Sequence, residues 1–238
     1  MPKPSIASTP VTVPAREAVR RGRRIPRLMV VSLGGFGALL WLVRSNRAEA
    51  FDLAMTLRFQ RRGRPWLDRL MTLVSWPGFP PQSHRIPPAL IAILWLARLR
   101  TEAVFLLLAW GSATVSTAIK GLVRRPRPIA GPDLRVVVAP LGGSSFPSGH
   151  VLTFVGTYGF TAYLAATLIR DDILRTAATG SLVGLVALVG PSRIYQGHHW
   201  ATDVTASYLV GTAYLTGVIA VYRRAKAGEA ASAVRTAP

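Results

Sequence analysis

The chain has 238 residues, half of them apolar, with 29 Lys and Arg against 10 Asp and Glu and a formal charge of +19. The apolar residues gather in long runs and the basic residues in short clusters at the ends of those runs, as in an integral membrane protein. A nucleic-acid binder would interleave its basic residues with aromatics on one face, which this chain does not do, and the absence of cysteine excludes disulfides and thiolate metal sites.

Residues 1–26 carry several prolines and the cluster Arg20, Arg21, Arg23 and Arg24, and read as a disordered, basic cytoplasmic tail. Residues 28–43 form the first apolar run. A cleaved signal peptide is the rival reading, because Ala48-Glu49-Ala50 is a small-x-small site, but Arg44 and Arg47 are out of place between such a run and its cleavage point. Over 50–60, Phe51, Leu53, Ala54 and Leu57 alternate with Asp52 and Arg58 at helical spacing, which predicts a helix lying on the membrane surface. Residues 65–81 are apolar but end in Trp76-Pro77-Gly78-Phe79-Pro80-Pro81, the mark of a short embedded or re-entrant helix. Further spans are expected over 86–96, 101–123, 148–169, 176–195 and 200–221.

The expected fold class is thus an all-α integral membrane protein with six transmembrane helices. Its membrane domain covers 27–223, and an Ala-rich flexible tail follows over 224–238. Six spans put both termini on one side and the connections after spans three and five on the other. The N-terminal basic cluster assigns the termini to the cytoplasm and the connections to the extracytoplasmic side, although seven arginines over 44–69 run against the charge rule.

Three polar stretches interrupt this apolar plan. Lys120 to Arg127 holds four cations in eight residues, and Pro126 and Pro128 stiffen the turn around Arg127, aiming its planar guanidinium as a clamp for an oxyanion. Ordinary cations at a membrane edge are the alternative for any one of them. Pro147-Ser148-Gly149-His150 opens a span, so Ser148 and Gly149 can offer hydroxyl and amide donors to an anion, with His150 next to them as a proton donor; a plain helix cap is the bland reading. Ser192-Arg193 and His199-x-x-x-Asp203 lie between two apolar runs, where ionisable groups are costly unless they face a polar site. If the segment from Trp200 is helical, Asp203 can accept a hydrogen bond from one nitrogen of His199 and leave the other free to act as nucleophile or base. His198 reads as an exposed neighbour, and His84 has no visible partner.

In order and spacing these stretches resemble the three motifs of the type-2 phosphatidic acid phosphatase superfamily, K-x6-R-P, P-S-G-H and S-R-x5-H-x3-D. Every specified position is present, from Lys120, Arg127 and Pro128 through Pro147 to His150 and on to Ser192, Arg193, His199 and Asp203. The resemblance covers about residues 28–222. It implies a membrane-bound lipid phosphatase in which His199 is the nucleophile that becomes a phosphohistidine, Asp203 orients it, and His150 is the acid. Lys120, Arg127, Ser148, Gly149 and Arg193 would bind the phosphate. It implies no metal and no cofactor, a lipid phosphate (phosphomonoester or diphosphate) as the substrate, and the bilayer as partner; oligomeric state is not legible. The rivals are a vanadate-dependent haloperoxidase, against which the apolar content argues, and a catalytically silent lipid-binding scaffold, which would be expected to lack one of the histidines. A carrier lipid such as a polyprenyl diphosphate is the expected substrate refinement, with Gly131, Gly142 and Gly143 making the connection over 127–147 a mobile entrance for its headgroup.

Overall fold

The computed structural model describes residues 15–61, 63–132, 134–137 and 141–235, and all regular structure among them is helical. In chain order the helices are α1 (Ala15–Arg44), α2 (Glu49–Gln60), α3 (Pro65–Ser75), α4 (Gln82–Leu96), α5 (Arg100–Trp110), α6 (Ser112–Leu122), α7 (Gly149–Thr153), α8 (Gly159–Leu168), α9 (Asp172–Tyr195) and α10 (Ala201–Arg235). A short 3-10 turn, Trp76–Gly78, follows α3, and a π-helical segment, Phe154–Tyr158, joins α7 to α8.

Five stretches are long and apolar enough to cross a bilayer: Arg27–Arg44, Arg100–Leu122, Gly149–Leu168, Asp172–Tyr195 and Ala201–Glu229. Their outer faces carry the apolar side chains that a soluble protein would hide. Val30, Val31, Leu107, Leu108, Ile173, Val183 and Leu188 are all exposed, which is stable only against lipid. The interior is layered instead. An apolar floor of Val74, Val151, Phe154, Val155, Val189, Ile194 and Val204 lies in the bundle, and near it, where α6, α7, α9 and α10 end or begin, the buried residues turn polar.

The expected second span falls in α4, whose 15 residues rise about 22 Å. Its first turn, at Ser83 and His84, lines the same cavity as Lys120 and His199. Its last turn closes tightly, Leu99 donating to the Leu94 carbonyl at 2.9 Å, and α5 then runs back. Glu102 at the start of α5 bonds Tyr222 of α10, which is 21 residues, or about 30 Å of helix, beyond the start of α10. The chain therefore travels from one end of the bundle to the other through α4.

Two tails differ from expectation. Residues 15–26, assigned above to a disordered tail, are the first turns of α1, which continues the helix of the first apolar run toward the N-terminus. Residues 1–14 of that expected tail lie outside the described residues. At the other end α10 continues to Arg235 rather than stopping near 223, pinned by Lys226, which pairs with Glu102 at 3.2 Å and Glu229 at 2.9 Å; residues 236–238 lie outside the described residues.

The helix over 50–60 exists, but its polar side faces the protein. Asp52, Thr56 and Gln60, spaced i, i+4, i+8, are buried, while Phe51 and Leu53 are exposed. Gln60 pairs with the Arg135 backbone as a strand would, accepting from its N–H at 2.9 Å and donating to its carbonyl at 2.7 Å, and it donates again to the Tyr195 carbonyl. Val137 donates to the Gln196 carbonyl. The connection expected to be a mobile entrance is thus fastened to α2 and to the end of α9 at Arg135 and Val137.

Candidate active site

The three polar stretches meet at one end of the bundle, around a cavity of about 390 Å³. Lys120 stands on the last turn of α6, and a Cβ on Gly149 would lie 3.8 Å from its ammonium. No hydrogen bond or ion pair holds Lys120 among the described residues. Arg127 is aimed not by its prolines alone but by three carbonyls: Nε donates to Gly142 at 3.1 Å, Nη2 to Ser144 at 3.2 Å and Nη1 to His198 at 2.7 Å. Burial lowers its pKa, with Asp203 opposing.

His199 is buried, and its tautomer follows from its neighbours. Nδ1 lies 2.8 Å from the Ser145 carbonyl, which can only accept, and Nε2 lies 3.2 Å from Arg127 Nη1, which can only donate. Nδ1 therefore carries the proton and Nε2 the lone pair. Burial, and then the charges of Arg193, Arg127 and Lys120, hold its pKa well below 6.5, so the ring is neutral at physiological pH. The expected hydrogen bond to Asp203 is replaced: the nearest approach of Asp203 to Nδ1 is 3.7 Å. The carboxylate instead accepts from Arg125 at 2.6 Å and from the Trp200 N–H at 2.9 Å. The helical spacing put the two side chains on one face, as expected, but Ser145 and Arg125 compete for them from outside the helix.

His150 sits one residue into α7, half-buried, with its buried Nε2 lacking a hydrogen-bond partner among the described residues. Its ring is packed edge-on against Phe79, centroids 4.7 Å apart. A Cβ on Gly78 would fall 2.2 Å from His150 Cδ2, so only glycine lets the Trp-Pro-Gly-Phe turn close over the histidine. Ser148 offers less than expected: its N–H already donates to Ser207 Oγ at 2.7 Å. Its hydroxyl is buried without a partner among the described residues.

Arg193 is fully buried, and among the described residues no carboxylate pairs with it. Nη1 donates to Gln196 Oε1 at 2.7 Å, Nη2 meets His198 Nδ1, Nε has no partner among the described residues, and Phe79 lies 4.9 Å beneath the guanidinium. A buried cation so placed is costly unless an anion joins it. His198, expected to be exposed, is buried at 1 % exposure, because Gly197, at φ +70°, turns the chain sharply after α9 and folds the histidine inward. His84, unassigned from the sequence, lines the cavity rim with Ser83.

All eight expected site residues thus lie in one polar cluster. The sequence reading missed Ser145, whose backbone acts, Phe79 and Gly78, and the pair Asp52 and Arg125. The Asp52-Thr56-Gln60 stripe was the one available signal, since three polar residues on one face of an otherwise apolar helix need a polar neighbour. Among the described residues no three His, Cys, Asp or Glu side chains gather as a metal site would require.

A model described as the PAP2 superfamily matches residues 101–227. Phosphatidylglycerophosphatase B of Bacillus subtilis (strain 168) is 25% identical over 174 residues, 71% of this chain and 82% of the relative. Among solved structures, a transmembrane PAP2 type phosphatidylglycerolphosphate phosphatase from Bacillus subtilis superposes with a TM-score of 0.72 at 23% identity, covering 82% of this chain and 96% of that one. LpxE of Aquifex aeolicus superposes with a TM-score of 0.57 at 23% identity, covering 71% and 94%.

Proposed function

The chain belongs to the PAP2 superfamily, and we propose that it is a membrane phosphatase that removes phosphate from a lipid phosphomonoester or diphosphate. The observation that carries this reading is the course of the cavity. From Lys120, Arg127, His150 and His199 it continues past Thr117 and Ala113 to Trp110, one stripe at helical spacing that descends about 15 Å along α5 and α6 into the apolar part of the bundle. A phosphate held by the cations would lead its ester chain down that stripe. The name of a similar protein, phosphatidylglycerophosphatase B of Bacillus subtilis, supports a lipid phosphate.

In the proposed reaction Nε2 of His199 attacks phosphorus and forms a P–N bond as the bond to the leaving oxygen breaks. His150 gives that oxygen its proton. Water, losing a proton to His150, then attacks phosphorus, the P–N bond breaks, and inorganic phosphate leaves with His199 restored. Lys120, Arg127, Arg193, the Ser148 hydroxyl and the Gly149 amide stabilise the charge on the equatorial oxygens, a role that needs no metal. We read α4 as the sixth crossing, since the chain must change ends of the bundle between α2 and α5, and the site as facing the extracytoplasmic side of the cell membrane. A carrier-lipid diphosphate is the favoured substrate.

The test is kcat/KM for a polyprenyl diphosphate, phosphatidic acid and glucose 6-phosphate in one detergent, with and without chelator. The lipids should win by at least tenfold, because the tail supplies binding energy that a soluble ester lacks, and chelator should leave the rates unchanged. A faster soluble ester would overturn the lipid reading, phosphatidic acid winning would remove only the carrier-lipid refinement, and rescue of a chelated enzyme by magnesium would overturn the metal-free mechanism.

A further inference from the structure

Behind the site, on the side away from the cavity, lies a second charged cluster that the proposed reaction does not use. Arg125 reaches from the connection after α6 between two buried carboxylates. Its Nη2 donates to Asp52 Oδ2 at 2.6 Å, and its Nη1 donates to Asp203 Oδ1 at 2.6 Å and to Thr202 Oγ1 at 2.8 Å. Asp52, from α2, also accepts from the Thr202 N–H at 2.8 Å and hydroxyl at 2.7 Å, so it grips the first turn of α10. Both carboxylates are fully buried. One guanidinium is thus shared between two anions, and the triad keeps a net negative charge. Only Asp203 of the three approaches His199.

We propose that Arg125 and Asp52 are positioning residues of the reaction, which act through Asp203 to set how much negative charge reaches Nδ1 of His199. The proposal rests on His199 being the nucleophile. When Nε2 uses its lone pair to bond phosphorus, the ring takes on positive charge and Nδ1–H becomes a stronger donor. Asp203, 3.7 Å away, is the nearest anion that can answer. If Arg125 were paired to Asp203 alone, it would cancel that charge; because Asp52 draws on the same guanidinium, part of the charge remains for the imidazolium. The other groups facing His199 are cations or histidines: Lys120 of α6, Arg127 of the connection, His150 of α7, and Arg193 and His198 at the end of α9. No second anion faces it among the described residues, so this triad alone opposes them.

The two members of the triad beyond Asp203 act with opposite sign, and that separates positioning from a merely structural role. Asp52→Asn hands Arg125 wholly to Asp203, so His199 should become harder to protonate. The double variant Asp52→Asn/Arg125→Gln removes a cation and an anion together, keeps the net charge, and leaves Asp203 uncompensated, so His199 should protonate more easily. The chain has four histidines, so imidazole NMR of the purified, 15N-histidine-labelled protein can follow them, with His199 identified by its loss in His199→Ala. The expected result is a fall in the His199 titration midpoint in Asp52→Asn and a rise in the double variant, each of about one pH unit. With phosphatidic acid, kcat of Asp52→Asn should fall by up to about 100-fold at nearly unchanged KM, since Asp52 does not touch substrate. Arg125→Lys should keep the titration near that of the natural protein. Unshifted midpoints, or shifts of the same sign, in folded variants would overturn the proposal. Retained turnover in His199→Ala would instead overturn the nucleophile assignment beneath it.

Discussion

At the end of the bundle away from the cavity, Glu102 is buried beside the Tyr222 hydroxyl, Lys226 bridges it to Glu229, and Thr101 donates to Glu229, so two carboxylates share one cation and every charge of the cluster has a partner. At the cavity end Lys120, Arg127 and Arg193 crowd together, and the carboxylate closest to them, Asp203, is already held by Arg125. Both ends sink charge into a protein that faces lipid, yet among the described residues only the first has all its charges paired. A cluster of paired charges fastens helices. An excess of cations backed by carbonyls and a partnerless histidine nitrogen stabilises nothing by itself and is arranged for an anion that arrives.

His199→Ala breaks this contrast most severely. With the nucleophile gone, phosphate release should drop on the order of 10,000-fold or more, while the melting temperature in detergent stays close to that of the natural protein. Near-normal turnover would remove the active site from this end of the bundle. Lys120→Met keeps the stem and deletes the charge, and should lower kcat on the order of 100-fold and weaken vanadate inhibition in parallel; an unaffected kcat would make Lys120 an ordinary membrane-edge cation.

Glu102→Gln probes the end whose charges are paired. Stability should fall by about 1–3 kcal/mol, read as a lower melting temperature, with kcat/KM unchanged. A loss of activity without a loss of stability would mean that the two ends communicate.

Acid should sharpen the contrast least. His199 is held neutral with its pKa well below 6.5, so below pH 6.5 the unfolded chain takes up a proton that the folded chain refuses. Its contribution to stability is complete above 6.5 and is lost as the pH falls, by at most about 1.4 kcal/mol per pH unit. The melting temperature of the natural protein should therefore fall relative to that of His199→Gln as the pH drops from 7 to 5. Parallel curves would mean that the folded ring takes up its proton as readily as the unfolded one.

The site was legible wherever chemistry is written in local spacing. Lys120 and Arg127 flank one helix end, Ser148 to His150 opens another, and His199 and Asp203 are four apart, so each motif declares its residues before any packing is known. The structure brings all of them together. What spacing does not encode is who answers a side chain from elsewhere. Asp203 faces His199 along its helix, yet Arg125 takes it from the side and a backbone carbonyl takes the imidazole proton. His198 reads as exposed until Gly197 turns it inward. The α2 helix has an amphipathic pattern that fits a membrane surface, and its polar stripe turned to the protein instead.

Hydropathy and helical period alone were enough to establish an all-helical membrane chain, because a bilayer demands long apolar runs and closed backbone hydrogen bonding, and both are local properties. Residue order likewise sufficed to pick out the cations that gather at the cavity and the two histidines beside them. The assignment of partners was decided in three dimensions. Asp52 lies 151 residues from Asp203 in the chain and is joined to it through one arginine, and Gly78 is shaped to a histidine 72 residues away. Such contacts depend on how helices pack, since a buried charge takes the best partner within reach, and reach in a folded bundle bears no relation to distance along the chain.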